Sequence, residues 1–297
     1  MAEYGYNPKR SALWNYGGPK WKLSRSKIEL FTNCPRCFYI DNKLGTKRPS
    51  MPSFLINTAV DTQLKNEFDA FRKAGKAHPF QEEFKIDAIP APHELLNTWR
   101  ENFEGVIYKD ETTGMTISGA IDDLWINPKT GEYIVVDYKA TAKDAPKTEL
   151  TVGGYDDAYR KQMEIYQWLL RKNGLKVSDT GYFVYCTGRA NQDTFDKKIE
   201  FDVVVIPYTG NDSWVSGVIG EIKKCLDSSE IPKSGDGCEY CMWFNTRAEL
   251  EDLTGAKAKP ATPTTPAPAV KTKFAEIKPK KTAAKKNSKP QPGNTLF

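Results

Sequence analysis

The chain has 297 residues, 39% hydrophobic and 12% aromatic, enough for one sizeable globular domain with extensions. No apolar run reaches the length of a membrane span and MAEYGYNPKR lacks an apolar signal core, so a cytoplasmic protein without membrane attachment is expected. The net charge of +5 belongs to the C-terminus: from Gly255 onward ten lysines face one glutamate, which leaves the body near −4 and excludes a body that is basic all over.

Residues 1–22 are rich in Gly, Pro, Asn and Tyr, lack periodicity and read as an irregular arm. Ser24 and Ser26 are candidate N-caps for a helix over SRSKIELFTNC, with Ile28, Leu30 and Phe31 on its apolar side. Cys34-Pro35-Arg36-Cys37 follows, and Arg48, Pro49 and Pro52 mark a loop. A helical period returns over 54–71, through Phe54, Ala59 or Val60, Leu64, Phe68 and Phe71, with Asp61 near the stripe. Gly75, Pro79 and Pro90 make 74–91 mostly loop. A short helix is expected over 94–103 and a strand over 105–109.

Residues 115–141, MTISGAIDDLWINPKTGEYIVVDYKAT, read as two strands joined by a turn at Asn127, Pro128 and Gly131. Alternation puts Val135, Asp137 and Lys139 on one face of the second strand, and Ile134, Val136 and Tyr138 on the other. Gly119 leaves room for a close approach three residues before Asp122. Two carboxylates on neighbouring strands, Asp122 and Asp137, can hold one divalent cation through oxygen. A lysine beside them, Lys139, can orient water or neutralise charge on a phosphate. That is a kit for metal-assisted phosphodiester hydrolysis. The same residues also suit a surface hairpin with one Asp–Lys pair.

A polar loop is expected over 142–154, then a helix over 156–172 whose stripe is Tyr155, Tyr159, Met163, Tyr166 and Leu170. Gln162 shares a face with Tyr166; it is either part of a site or a core-edge glutamine bonded to backbone. Residues 180–187 and 199–207 read as antiparallel neighbouring strands, and Asp212 as the cap of a helix to 226. The stretch 251–297 is low in complexity, with seven prolines and ten lysines beyond Thr254, and is expected to be disordered. Its lysines either tether nucleic acid or only solubilise, and the terminal Asn294-Thr295-Leu296-Phe297 offers an apolar tip to a protein partner.

Six cysteines include two C-x-x-C pairs, Cys34/Cys37 and Cys238/Cys241. Four thiolates far apart in sequence suit one metal centre joining the ends of the domain, and both zinc and an iron–sulfur cluster accept such a set. Unligated buried cysteines are the alternative. Cys186 and Cys225 read as small core residues.

In this order the motifs resemble the PD-(D/E)XK nuclease superfamily, in particular its RecB-type branch with the iron–sulfur CRISPR-associated exonucleases. They are FTNCPRCFYI, an acidic position on an early helix, G-x-x-D (Gly119 to Asp122), D-Y-K (Asp137 to Lys139), Q-x-x-x-Y (Gln162 to Tyr166) and a C-terminal C-x-x-C, over about residues 24–245. The resemblance implies a restriction-endonuclease-like α/β fold, a mixed central sheet flanked by helices, over 23–250. It implies a nuclease acting on DNA, with Mg²⁺ or Mn²⁺ held by Asp122, Asp137 and the Tyr138 carbonyl. Lys139 would position water and phosphate, supported by Gln162 and Tyr166. Asp61 stands where the branch usually has a metal-binding His, a departure that a hard cation tolerates. The branch also implies a 4Fe–4S cluster on Cys34, Cys37, Cys238 and Cys241, although its members place one cysteine early and three late, and zinc remains the alternative. The other functional readings are a non-catalytic nucleic-acid-binding module and a zinc-stabilised interaction protein.

Overall fold

Two β-rich stretches and the helices between them build the protein, whose computed structural model describes residues 8–49 and 55–254. The chain begins with β1 (Leu23–Ser24), α1 (Arg25–Asn33), α2 (Pro35–Asn42), α3 (Leu55–Ala74), α4 (Pro79–Glu83), β2 (Ile89–Pro90) and α5 (Leu96–Trp99). Strands β3 (Val106–Lys109), β4 (Thr116–Gly119), β5 (Asp123–Ile126) and β6 (Tyr133–Lys143) follow. The order ends with α6 (Gly154–Lys172), β7 (Thr180–Arg189), β8 (Phe201–Thr209), α7 (Val215–Asp227) and α8 (Glu239–Thr254). Residues 1–248 form one unit and 249–297 a second, of which only the end of α8 is described.

The large sheet has the order β2-β5-β6-β7-β8. Strands β6 and β7 are parallel and the other neighbours antiparallel. A parallel pair needs a crossover, and α6 supplies it. A small sheet, β1-β4-β3, lies beside it in the chain order. The fold is thus the expected mixed α/β arrangement. Alternation decides which side chain meets which layer. Leu124, Val135, Phe183 and Ile206 pack with Ile28, Met163, Leu169 and Ile219 from α1, α6 and α7. Trp125, Ile134, Val136 and Tyr138 pack on the other face with Leu64 and Phe68 of α3. Acidic Asp156 and Asp157 in the first turn of α6, and Arg171 and Lys172 in its last, complement the helix dipole.

Several boundaries differ from the sequence expectation, each for a local reason. The single strand expected before the turn is two, β4 in the small sheet and β5 in the large one. Between them the Ile121 N–H donates to the Trp99 carbonyl (3.1 Å) and Arg100 Nε to the Asp122 carbonyl (3.0 Å), so the chain leaves one sheet for the other. Within 74–91 lie α4 and β2. Pro79 starts α4 rather than breaking it, because His78 and Gln81 form a reciprocal cap. Helix α2, which the motif reading left unassigned, likewise begins on Pro35 with Cys34 as its cap. The helix over 94–103 shrinks to α5, β6 extends into the expected loop as far as Lys143, and β8 starts at Phe201. Tyr155, on the predicted stripe, is 76% exposed, since it precedes the part of α6 that meets the sheet. Asp212 lies in a single 3-10 turn capped by Asn211, not at the cap of α7. Residues 251–254, grouped with the tail on composition, continue α8. Pro52, Phe54, the start of the arm and the lysine-rich stretch 255–297 with its apolar tip lie outside the described residues. Among the described residues no helix is long and apolar enough to cross a membrane.

Gly119 is where α6 closes onto β4. A Cβ there would stand 2.9 Å from both Leu169 Cδ1 and Tyr166 Cε1, so the close approach expected at this glycine is made by Tyr166. Gly119→Ala is expected to cost roughly 1–3 kcal/mol of stability through overpacking. Urea unfolding measures this; an unchanged midpoint would refute the packing role.

Candidate functional site

The β5–β6 hairpin sets the site. Asp123 pairs with Val136, and continuing that register by one residue brings Asp122 across from Asp137. Asp137 exposes none of its surface. Its Oδ1 accepts a hydrogen bond from Gln162 Nε2 (2.8 Å), and its Oδ2 is in direct contact with Lys139 Nζ as an ion pair. Gln162 reaches down from α6 and binds three side chains. Besides Asp137, its Nε2 donates to the Tyr166 hydroxyl (3.1 Å) and its Oε1 accepts from Lys139 Nζ (3.3 Å). The backbone-bonded alternative for Gln162 is thereby set aside. Lys139 Nζ also lies 4.4 Å from the centroid of the Tyr159 ring. Burial works against the Lys139 charge, but Asp137 and Asp122 outweigh it and raise its pKa, so it remains an ammonium.

Asp122 is less satisfied. Its Oδ2 accepts the Tyr138 N–H (2.9 Å), and its Oδ1 faces Lys65 Nζ at 3.9 Å. Burial, then the neighbouring Asp137, pushes its pKa up to about 6 against the pull of Lys139 and Lys65. Asp61 pairs with the same Lys65 (2.9 Å), so one lysine separates it from Asp122. The structure therefore brings Asp122, Asp137, Lys139, Gln162 and Tyr166 together and leaves Asp61 at their edge. Tyr138 contributes its backbone N–H, while its ring enters the opposite layer and its hydroxyl donates to Asp123 Oδ2 (2.6 Å). A hard divalent cation fits the acidic pair. Asp122 and Asp137 stand across from one another, and the charge on Asp137 raises the cost of ionising Asp122 until a cation compensates it.

Two features escaped the sequence reading. Asp123 is fully buried and held by Arg72, by Arg100 Nη2 (2.8 Å), by the Tyr138 hydroxyl and by the Leu124 N–H (2.7 Å). A signal existed, since two adjacent aspartates on a strand point to opposite faces and one of them must enter each layer. Arg25, at the start of α1, pairs with Glu29 and lies beside Tyr166. Burial opposes its charge, but Tyr166, Glu29 and Asp137 keep its pKa raised. Nothing in the α1 sequence marks it. Next to Lys139, a groove of about 790 Å³ is lined by Asn57, Lys143, Tyr155, Tyr159 and Tyr185, among others.

A second cluster lies elsewhere. Among the described residues, one group of three or more Cys, His, Asp or Glu converges tightly: Cys34, Cys37, Cys238 and Cys241, whose sulfurs all lie within 4.8 Å of one another. Cys34 and Cys37 open α2, Cys238 immediately precedes α8, and Cys241 sits in its first turn. Burial opposes ionisation of Cys34, but the N–H groups of Gly235 and Cys37 outweigh it and bring its pKa down to about 7. Burial and the neighbouring sulfurs raise Cys37, and burial pushes Cys241 up to about 11. Several thiolates in this space need a cation. Cys186, buried in the α3-facing core, and Cys225 on α7 stand outside the group.

A family model of the PD-(D/E)XK nuclease superfamily matches residues 22–245. With three quarters of its length matched, the chain belongs to that superfamily. A search of curated proteins finds no match.

Two outcomes test the electrostatics without a substrate. Because the pKa of Asp122 is raised from 3.8 to about 6, the folded state binds the extra proton between these values. Stability of metal-free protein falls as pH rises through that window and stays reduced above it. Asp122→Asn is therefore expected to raise the melting temperature in EDTA at pH 7.5, and the gain should shrink at pH 5. An equal gain at both pH values would sink the explanation. Asp123→Ala removes the buried carboxylate shared by Arg72, Arg100 and the Tyr138 hydroxyl, leaving the two guanidinium groups only the half-exposed Asp69, and is expected to cost about 3–5 kcal/mol in denaturant unfolding.

Proposed function

We propose that the protein is a Mg²⁺- or Mn²⁺-dependent nuclease that hydrolyses phosphodiester bonds in DNA. The observation that carries this reading is the acidic pair: Asp137 buried at the end of β6, Asp122 across from it with its pKa raised, and the Lys139 ammonium fixed beside them. Asp122, Asp137 and the Tyr138 carbonyl would hold the ion, with Asp61 joining if Lys65 swings away. A bound divalent ion lowers the pKa of water and polarises the phosphate. Lys139 is the residue that meets the charge growing on the phosphate oxygens, because Gln162 and Tyr159 fix its ammonium on the face of Asp137. Gln162 holds Asp137 and Lys139 in one geometry, and Tyr166 holds Gln162.

The groove beside Lys139 suits a nucleic-acid strand. Exposed Tyr155 offers a face for stacking, and Lys143 a charge for the backbone. This local basic and aromatic surface answers a body whose net charge is negative. The likeness to RecB-type exonucleases fits a place in DNA repair, recombination or CRISPR-type DNA processing. The cysteine group, remote in sequence from the acidic pair, has a structural role in this reading, as a metal site held by four thiolates.

Incubating purified protein with single- and double-stranded DNA and with RNA, in Mg²⁺, Mn²⁺ or EDTA, tests the proposal. Cleavage is expected with either ion and not with EDTA. Asp137→Ala should abolish it, and Lys139→Ala should lower turnover by about 10²–10³-fold while nucleic-acid binding survives. Gln162→Ala should cost roughly tenfold, since it acts through its neighbours. If the wild type cleaves no nucleic acid, or Asp137→Ala cleaves as well as wild type, the nuclease reading falls.

A further inference from the structure

We propose that Cys34, Cys37, Cys238 and Cys241 hold a single tetrahedral zinc ion, and that the pocket they form is too tight for a 4Fe–4S cluster. The inference stands apart from the nuclease reading and rests on the spacing of the sulfurs. Cys34 and Cys241 Sγ are 3.8 Å apart, Cys37 and Cys238 3.7 Å, and Cys37 and Cys241 3.6 Å. All four lie within 4.8 Å of one another. In a tetrahedron the edge is about 1.63 times the distance from centre to corner. A Zn–S bond of about 2.3 Å therefore sets sulfurs about 3.8 Å apart. A 4Fe–4S cluster places a different iron under each thiolate, with the whole iron–sulfide core between them. Its four cysteine sulfurs stand apart by the width of that core plus two bonds, well beyond the spacing found here.

The surroundings oppose widening. Cys34, Cys37 and Cys238 are buried, and Leu30 packs against the group. The chain before Cys238 is pressed onto the joint between α1 and α2, where a Cβ on Gly235 would stand 2.1 Å from the Asn33 carbonyl oxygen. From there the Gly235 N–H donates to Cys34 Sγ (3.3 Å), as does the Cys37 N–H (3.4 Å). Spreading the sulfurs to admit a cluster core would break these bonds and move α2 from α8. Four cysteine ligands leave no open position, so the ion would be structural, and its binding energy would be folding energy.

The test uses the full chain, produced in cells supplied with both iron and zinc and purified without oxygen, so that an oxygen-sensitive cluster would survive. Zinc, iron and acid-labile sulfide are measured per chain, together with the visible spectrum. The expected result is one zinc, no labile sulfide and a colourless protein. Replacing that zinc by Co²⁺ should give the intense visible bands of a tetrahedral cobalt–thiolate centre. Cys186→Ser and Cys225→Ser should keep one zinc each, and Cys238→Ser should lose it. Brown protein with several irons and matching labile sulfide would overturn the proposal. Folded wild-type protein without stoichiometric zinc would do so equally, whether or not the Cys238 variant folds.

Discussion

Burying an ionised carboxylate costs several kcal/mol unless its oxygens and its charge are answered, and Asp137 has no exposed surface at all. The surrounding architecture supplies the answer. Gln162 satisfies one oxygen and Lys139, from the same strand, pairs with the other; the glutamine, which also accepts from Lys139, needs α6 to lie close over the end of β6. That closeness depends in turn on Gly119, the one position of β4 where Tyr166 and Leu169 press against bare backbone. A glycine on one strand, a glutamine on the crossover helix and a charged pair on a second strand are therefore a single arrangement. Removing Gln162 or Lys139 leaves the buried Asp137 carboxylate short of a partner.

The same hairpin carries a second buried acid solved in the opposite way. Asp123 points into the layer under α3, where two guanidinium groups, a hydroxyl and a backbone N–H surround it. It has no capacity left for a ligand, and its network locks α3, α5 and the hairpin together. Asp122, its neighbour in sequence, has one backbone donor, a lysine 3.9 Å away and a pKa raised to about 6. One aspartate is closed and the next is open. The open one is also the partly exposed one, so it is Asp122 and not Asp123 that a ligand can reach.

The sequence made the open side legible because strands alternate. D-Y-K fixes Asp137 and Lys139 on one face whatever the rest of the chain does, and the helical period places Gln162 and Tyr166 together. The convergence of two distant C-x-x-C pairs was legible for a similar reason, since thiols at such spacing have few other uses. What stayed hidden depends on contacts between elements. The crossing from β4 to β5 is decided by Trp99 and Arg100, whose side of the fold no local pattern announces. Arg25 reaches Tyr166 only because α1 packs against α6. Pro79 and Pro35 look like breaks until the cap before each is seen. Spacing could not separate zinc from a cluster either, because both use the same residues at different distances.

Helix α1 links the two centres. Arg25 occupies its first position, beside Tyr166, and Cys34 follows its last, with nine helical residues or about 14 Å between the two ends. At the far end the chain turns straight into α2 with Cys34 as cap, and Gly235 packs against the joint. At the near end β1 pairs in parallel with β4, Ser24 against Ser118, one residue before Gly119. A short helix held at both ends has little freedom to tilt, which keeps Arg25 beside Tyr166. The apolar side of α1, Ile28 and Phe31, lies in the same core as α6, so the helix that ends at Cys34 is packed on the helix that carries Gln162 and Tyr166.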